Sequence, residues 1–356
     1  MKVRVLDTGY VSTVERTGSG RNTMELLAKT QNKTKLDRRL SVAPMMDRTD
    51  RHDRFFLRQL SPSALLYTEM ITTGAILYGD KERFLAFDPS EHPLSLQLGG
   101  SDASQLAECA SIGEEWGYDE INLNVGCPSN RVQNARFGAC LMKEPKTVSS
   151  CVTAMSRATS LPITVKTRIG VDDQDSWDDL DNFVDNVAGA GCTTFIIHAR
   201  KAWLKGLSPK QNREIPPLVY ETVYRLKRRR PELEIIINGG IMTVKETRDH
   251  LALVDGVMIG RAAYQNPWLL AELEQSVLGG KPPESRVGVL NRYIEYMECE
   301  ILRGVPLYAM ARHALGLFQG QRGARLWRRY ISENGPRRGV GCEVVREALV
   351  NVENDF

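Results

Sequence analysis

One cysteine lies in a sequence context that suits proton transfer or nucleophilic attack. Cys127 follows the apolar run Glu120–Val125 and is flanked by Gly126 and Pro128, which restrict its loop. A free thiol titrates at about 8.5, so it holds a proton near neutral pH and can act as a general acid. The alternative is a small buried residue, and we favour the reactive interpretation for Cys127.

Two further residues lie close to the ends of apolar runs. Lys166, within Thr164–Arg168, could form a Schiff base, could be a fixed cation beside an electron-accepting ring, or could belong to a buried ion pair. His198 directly follows three apolar residues, Phe195–Ile197, so it is either a core histidine or a site residue. Spacing alone leaves these alternatives open.

Two glycine-containing turns indicate an anion site. Asn238-Gly239-Gly240 and Gly260-Arg261 each follow an apolar run. Glycine lets the backbone approach an anion closely, so that amide N–H groups can bind its oxygens, and an arginine adds a charged clamp. Ordinary tight turns are the alternative, and we favour a ligand that carries phosphate.

Short β-rich runs recur about every 25–40 residues, which is typical of alternating strands and helices. The eight predicted strands are Leu40–Met45, Leu65–Met70, Leu94–Leu98, Glu120–Val125, Ile163–Ile169, Thr194–Ala199, Glu234–Ile237 and Gly256–Ile259. Between some of them lie amphipathic helices, for which Asp102 and Ser176 are predicted caps. A doubly wound sheet would carry a glycine-rich fingerprint after its first strand, and none follows here. We therefore predict an α/β fold, a (β/α)8 TIM barrel.

Polar residues follow nearly every predicted strand, which is where barrel enzymes place their active sites. These strand ends are Pro44-Met45-Met46, Glu69, Gln97, Asn124 with Cys127, Lys166 with Arg168, His198 with Arg200, Asn238–Gly240 and Gly260-Arg261. A single polar residue at such a position means little, but the whole set indicates a functional site.

The chain is predicted to have three parts. Residues 1–36 lack a clear period and carry a net charge of +4, so we expect a disordered extension, with a transit peptide as the alternative. Residues 37–275 form the predicted barrel. The breaker cluster Gly279–Pro283 indicates a linker, and the sequence beyond it has helical periodicity, so residues 276–356 are predicted to form a small helical domain.

Composition excludes several classes of protein. The 356 residues are 42% hydrophobic and 26% charged, with no apolar run of membrane-spanning length. The seven cysteines form no CxxC pair, so we expect neither a disulfide framework nor a metal site. Reduced cysteines and the absence of a secretory signal predict a cytoplasmic protein.

Seven motifs in the same order resemble the tRNA-dihydrouridine synthases over about residues 38–350. They are Ala43–Asp47, Gln97–Gly100, Asn122–Ser129, Lys166–Gly170, His198–Arg200, Asn238–Gly240 and Gly260-Arg261. The segments Ala199–Trp203 and Gly206–Pro217 are similar to the bacterial A-type branch of that family.

This resemblance implies a flavin barrel that reduces the uridine C5–C6 double bond in the tRNA D-loop, at positions 20 and 20a. Hydride would pass from flavin N5 to C6, and Cys127 would donate the proton to C5. NADPH, or NADH, would supply the electrons. The residues implied to hold FMN are Pro44, Met45, Met46, Gln97, Lys166, His198, Asn238, Gly239, Gly240, Gly260 and Arg261.

The substrate must be extruded from folded tRNA into the barrel, so a basic surface is required. Residues 312–338 carry seven arginines and one acidic residue, and Arg322, Arg325 and Arg329 are predicted to share a helical face. The candidates for tRNA contact are Asn124, Arg200, Lys210, Arg213, Arg325 and Arg328. We expect a monomer that binds neither DNA nor membranes.

Three rival functions remain open at this stage. A flavin barrel acting on a free pyrimidine or another small metabolite would share the phosphate loops and the loop cysteine, but it leaves the basic helical region unexplained. An aldolase would use the Lys166 amine to form a Schiff base with a carbonyl substrate. A tRNA-binding chaperone would keep the barrel fold but would form no dihydrouridine.

Overall fold

Parallel strands form the centre of the structure, a computed structural model that describes residues 36–353. Those residues contain the strands β1 Leu40–Val42, β2 Leu66–Tyr67, β3 Ile71–Thr72, β4 Leu94–Gly99, β5 Glu120–Asn124, β6 Ile163–Arg168, β7 Thr194–His198, β8 Glu234–Asn238 and β9 Gly256–Ile259. They are ordered β1-β9-β8-β7-β6-β5-β4-β2, and β3 also pairs with β4. A parallel bridge from Ser41 to Leu65 nearly closes the ring. The predicted barrel is confirmed.

The first two strands are shorter than predicted. β1 ends at Val42 because the chain reaches Pro44, which has no N–H to donate to the sheet. Within the predicted strand Leu65–Met70 only β2 forms, and β3 begins one residue after the predicted end. The ladder between β2 and β4 is interrupted where the amide of Gln97 donates to the Thr68 hydroxyl, at 3.0 Å, instead of to a backbone carbonyl.

Helices follow the strands and cover the outside of the barrel. The helices of the barrel region are α1 Arg51–Arg58, α2 Thr73–Tyr78, α3 Lys81–Leu85, α4 Ala103–Glu115, α5 Asn130–Asn134, α6 Pro145–Ala158, α7 Trp177–Gly189, α8 Tyr220–Arg229, α9 Val244–Leu251, α10 Arg261–Gln265 and α11 Trp268–Leu273. The predicted caps are correct, since Asp102 and Ser176 accept from amides in the first turns of α4 and α7.

Most of the described residues after 285 lie in helices, as predicted. They form α12 Arg286–Leu302, α13 Leu307–Ala311, α14 Ala324–Asn334 and α15 Glu343–Glu353, which we call the helical region. The boundary between residues 275 and 276 stays a prediction, and the predicted extension lies outside the described range apart from Leu36. In the described part of the chain, no helix is both long and apolar enough to cross a membrane.

The interior of the barrel is filled by alternate residues of each strand, as the two-residue period requires. A mostly apolar group inside the ring comprises Ala43, Leu65, Tyr67, Ile196, Ile236 and Met258. Near the amino ends of the strands, the buried Glu120 carboxylate accepts from Arg38 at 2.7 Å, from Tyr67 at 2.7 Å, from Ser95 at 3.0 Å and from Thr164 at 2.9 Å. This network ties four parts of the barrel floor together.

Replacing Glu120 by alanine is expected to lower the free energy of unfolding by about 3–5 kcal/mol, because it breaks the buried pair with Arg38, which keeps the Glu234 carboxylate at 3.0 Å, and also removes the acceptor of the Tyr67, Ser95 and Thr164 hydroxyls. The matched control is Glu221→Ala, which removes an exposed ion pair with Arg228 and should cost only about 0–1 kcal/mol. Urea unfolding of both variants checks the difference. Equal losses would contradict the role of Glu120 in the floor.

Candidate active site at the carboxyl ends of the strands

The strand register brings the predicted residues of β5 to β8 together. Asn124 pairs in register with Lys166, and His198 pairs with Asn238. The Lys166 ammonium donates to the Asn238 side-chain oxygen at 3.1 Å, and the Asn238 amide donates to the Met258 carbonyl at 2.8 Å. Four of the predicted site residues therefore lie side by side at one end of the barrel.

Cys127 lies in a loop that is fixed from two sides. The Asn124 side-chain oxygen accepts from the amides of Gly126 and Cys127, at 3.1 and 2.9 Å. The Cys127 carbonyl accepts from the Ala139 amide at 2.9 Å. Its thiol is partly exposed, whereas Cys109, Cys151, Cys192 and Cys342 are buried, and all seven cysteines are free. The loop therefore carries a partly exposed cysteine that is close enough to Lys166 to affect the pKa of the lysine.

Arg168 holds this loop in place, a role that the sequence did not reveal. Its guanidinium is 4% exposed and donates to the carbonyls of Gly126, Lys201 and Asn212, at 2.8, 3.2 and 3.2 Å. It thus joins the cysteine loop to the segment after β7. The sequence placed Arg168 at a strand end, but only the structure shows that its charge points at carbonyl groups.

A buried amide network supports the cysteine loop from below. The Asn124 amide donates to Gln97 at 2.9 Å, and Gln97 donates to Asn122 at 2.7 Å. Asn122 in turn donates to the Thr164 hydroxyl at 2.8 Å. Asn124, a predicted substrate contact, is therefore engaged with protein groups, and among the described residues its side-chain nitrogen donates to Gln97.

Positive charge and burial dominate the electrostatics of this end of the barrel. Burial, together with the neighbouring Arg168 charge, lowers the pKa of Lys166 to about 7. Burial and the charges of Arg168 and Lys166 hold the pKa of His198 well below its usual range. An anion bound here would relieve this repulsion, so the cluster favours an anionic ligand.

The two glycine turns have the geometry of a cradle. Gly239 and Gly240 have φ angles of +119° and +73°, and a Cβ on Gly239 would lie 2.5 Å from the His198 ring. The Tyr220 hydroxyl fixes the turn by donating to the Gly239 carbonyl at 2.8 Å. Gly260 has its nearest neighbour, the Ala43 Cβ, 3.7 Å from where its own Cβ would stand. Close packing therefore requires glycine at positions 239 and 240, whereas Gly260 leaves open space in which a phosphate could approach the backbone.

Gly239→Ala is expected to weaken flavin binding at least about tenfold, because the new methyl group displaces His198 and the left-handed φ disfavours alanine by about 1–2 kcal/mol. Gly191→Ala is the matched control, since Gly191 has a φ of +104° but nothing within 4 Å of the new Cβ. It should lose stability without losing flavin affinity. Flavin titration followed by fluorescence checks both, and unchanged affinity in Gly239→Ala would contradict the cradle.

The remaining predicted cofactor residues lie around the same end. Pro44, Met45 and Met46 follow β1, and Met46 is 55% exposed. Arg261, predicted to clamp a phosphate, forms an ion pair with Glu214 at 3.2 Å in which both side chains are nearly half exposed. Its guanidinium is therefore turned towards the segment after β7, and its phosphate contact stays a prediction.

The predicted tRNA contacts fall into two groups. Arg200, Lys210 and Arg213 lie in or next to the segment after β7, and the charges of Arg261 and Arg213 are close enough to affect each other. Arg325 and Arg328 lie on α14, outside the strand-end cluster, where Arg328 donates to the Gln319 side chain at 2.9 Å.

One detail of the predicted basic face was wrong. Arg322 precedes α14, which begins at Ala324, so it cannot share a helical face with Arg325 and Arg329. Gly323, in a left-handed conformation with a φ of +73°, separates it from the helix.

Comparison with known proteins identifies relatives of this chain. Residues 41–353 match the family described as dihydrouridine synthase (Dus). A tRNA-dihydrouridine(20/20a) synthase of Shewanella oneidensis is 56% identical over 322 residues, which cover 90% of this chain and 96% of that protein. The enzyme of the same name from Vibrio cholerae is 57% identical over 316 residues, covering 88% and 96%.

A solved structure supports the fold alone. The complex of 2-naphthoyl-CoA reductase with 2-naphthoyl-CoA superimposes with a TM-score of 0.51 at 11% identity, covering 68% of this chain and 50% of that one. At this identity, the similarity confirms the barrel architecture and carries no information about the substrate.

Proposed function

The chain belongs to the dihydrouridine synthase family, and we propose that it reduces uridines 20 and 20a of tRNA to dihydrouridine with a bound flavin. The observation that carries this proposal is the similarity to relatives named tRNA-dihydrouridine(20/20a) synthase, at 56–57% identity over nearly their whole length. The strand-end cluster supplies the residues that such a reaction needs.

FMN is the flavin that fits the cluster best. The glycine turns at Gly239-Gly240 and Gly260, of which Gly260 has open space beside it, suit one phosphate group, and the chain has no fingerprint for a dinucleotide after β1. The buried amides of Gln97 and Asn238 and the cation of Lys166 suit the polar edge of the ring, with Pro44–Met46 along its side. Bound FMN supplies hydride for the uracil C6 position, and NADPH is the reductant we propose for it.

Cys127 is the residue that we propose to hold the proton for C5 of the uracil. Its loop is fixed by Asn124 and Arg168, so the thiol stays in one place while the base enters. We propose that the second N–H of the Asn124 side-chain amide orients a uracil carbonyl. A proton donor at a set position allows C5 to be protonated while the uracil stays bound.

Two basic surfaces would hold the RNA. Arg200, Lys210 and Arg213 lie in or next to the segment after β7, and Arg325 and Arg328 extend the positive charge along α14. Phosphate contacts of this type make affinity depend strongly on salt. We propose a monomer that acts in the cytoplasm, where tRNA is modified in bacteria such as the relatives named above.

The second candidate function is a flavin barrel acting on a free pyrimidine. The choice of substrate distinguishes it from the proposed function. Turnover with NADPH and with NADH should be compared on unmodified tRNA, free uridine and orotate. The proposal predicts dihydrouridine in tRNA at positions 20 and 20a and negligible turnover of the free compounds. Flavin oxidation by orotate or uridine without reaction of tRNA would favour the second candidate.

A further inference from the structure

The loop that connects β1 to α1, residues 43–50, is held on both sides by packed elements. On one side the Ala43 amide donates to the Ile259 carbonyl of β9 at 2.8 Å. On the other side α1 packs against α12, where Tyr293 donates to the carbonyl of His52 at 3.2 Å. The loop therefore bridges the barrel and the helical region.

Arg312 reaches this loop from the helical region, across 265 positions of sequence. Its guanidinium donates to the Asp47 carbonyl at 3.0 Å and to the Asp50 carboxylate at 2.7 Å. Asp47 has a φ of +59°, a conformation that non-glycine residues seldom adopt, so its carbonyl needs an external partner to keep it in place. Arg312 supplies that partner.

Asp50 is the point at which these contacts meet. One of its oxygens caps α1 by accepting from the amides of His52 and Asp53, both at 3.0 Å. The other accepts from Arg312, and the fully buried His313 ring lies 3.1 Å from the same carboxylate and donates to it. Both oxygens of one carboxylate are thus used, one for α1 and one for the helical region.

We propose that Arg312, with His313, is a positioning residue for the flavin. It holds the β1–α1 loop in the shape that brings Pro44, Met45 and Met46 to the side of the ring. This inference rests on the proposed function, because it takes those three residues as flavin contacts. The helical region then has a second role besides RNA binding, since it completes the cofactor site of the barrel.

Arg312→Gln should raise the FMN dissociation constant about tenfold, the loss typical of one hydrogen bond to a charged group. Arg312→Lys keeps the charge and one donor and should recover part of the affinity. The Michaelis constant for tRNA should change less than twofold in both variants, because the guanidinium is engaged with the loop. FMN titration and steady-state kinetics of the full-length protein measure these quantities.

The matched control is Arg346→Gln, which removes an ion pair of the same 2.7 Å length to Glu298, within the helical region but away from the loop. It should leave FMN affinity unchanged. If Arg312→Gln does not fold, Arg312→Lys and Asp50→Asn carry the same test, and both should weaken FMN binding. Thermal unfolding of each apoprotein separates a local effect from general destabilisation.

Three outcomes would overturn the inference. Unchanged FMN affinity in the Arg312 variants would show that the loop keeps its shape unaided. A higher Michaelis constant for tRNA alone would make Arg312 an RNA contact. A wild-type protein that binds no FMN would overturn both this inference and the proposed function, whereas a wild type that binds FMN but leaves tRNA unmodified would overturn the function only.

Discussion

Cys127→Ala is expected to slow dihydrouridine formation by about 10²–10⁴-fold, the usual contribution of a positioned general acid. Reduction of the bound flavin by NADPH should continue at a rate within twofold of the wild type, because that step needs no proton for uracil. The loop itself should persist, since Asn124 and Arg168 hold it through backbone groups. Single-turnover kinetics with unmodified tRNA measure the first rate, and anaerobic stopped flow measures the second.

Cys140→Ala is the matched control for this prediction. Cys140 is a partly buried thiol in the neighbouring segment Gly138–Lys143, where it donates to the Phe137 carbonyl, and burial raises its pKa. Its removal should leave both rates unchanged. Full activity of Cys127→Ala would mean that another group, or water, protonates C5.

Lys166→Met is expected to weaken flavin binding by roughly ten- to a hundredfold, because it removes a charged hydrogen-bond donor from the polar edge of the proposed ring site. Wild-type affinity should also depend on pH. In the protein without ligand, the pKa of Lys166 is lowered to about 7, and a bound anion raises it again. Between pH 7 and 9 binding must therefore take up a proton, so the dissociation constant should rise with pH, at most tenfold per unit.

An arginine at position 166 tests whether the pH dependence of flavin affinity comes from titration of Lys166. Lys166→Arg keeps the cation at every pH in this range, so its flavin affinity should be independent of pH between 7 and 9. Lys166→Met should be equally independent of pH but weak throughout. Fluorescence titrations at several pH values check all three proteins. A wild-type affinity that does not change from pH 7 to 9 would contradict the role of Lys166.

Much of the site could be predicted from the sequence, because in a barrel the position of a residue along its strand decides whether it faces the interior. Alternate residues of each strand face inwards, so Asn124, Lys166, His198 and Asn238 could be placed together before the register was known. The glycine turns were predictable for the same reason, since they directly follow predicted strands. These predictions needed only local pattern and the barrel.

The contacts that hold the site could not be predicted. Arg168 was assigned to a strand end, but its three carbonyl partners come from two separate loops. The pairing of Arg312 with Asp47 depends on how α1 packs against α12, which no local pattern encodes. The break at Thr68 arises from one side-chain hydroxyl that replaces a backbone acceptor. Such partners are chosen by tertiary packing and become visible only in the folded chain.

The most direct test of the account is one anaerobic turnover. The purified protein, loaded with FMN and reduced by NADPH, is mixed with unmodified tRNA while flavin absorbance is followed and the RNA is analysed by mass spectrometry. The account predicts reoxidation of the flavin with one dihydrouridine formed for each flavin reoxidised, at position 20 or 20a. Flavin that stays reduced in the presence of tRNA, or that reoxidises without dihydrouridine, would contradict it.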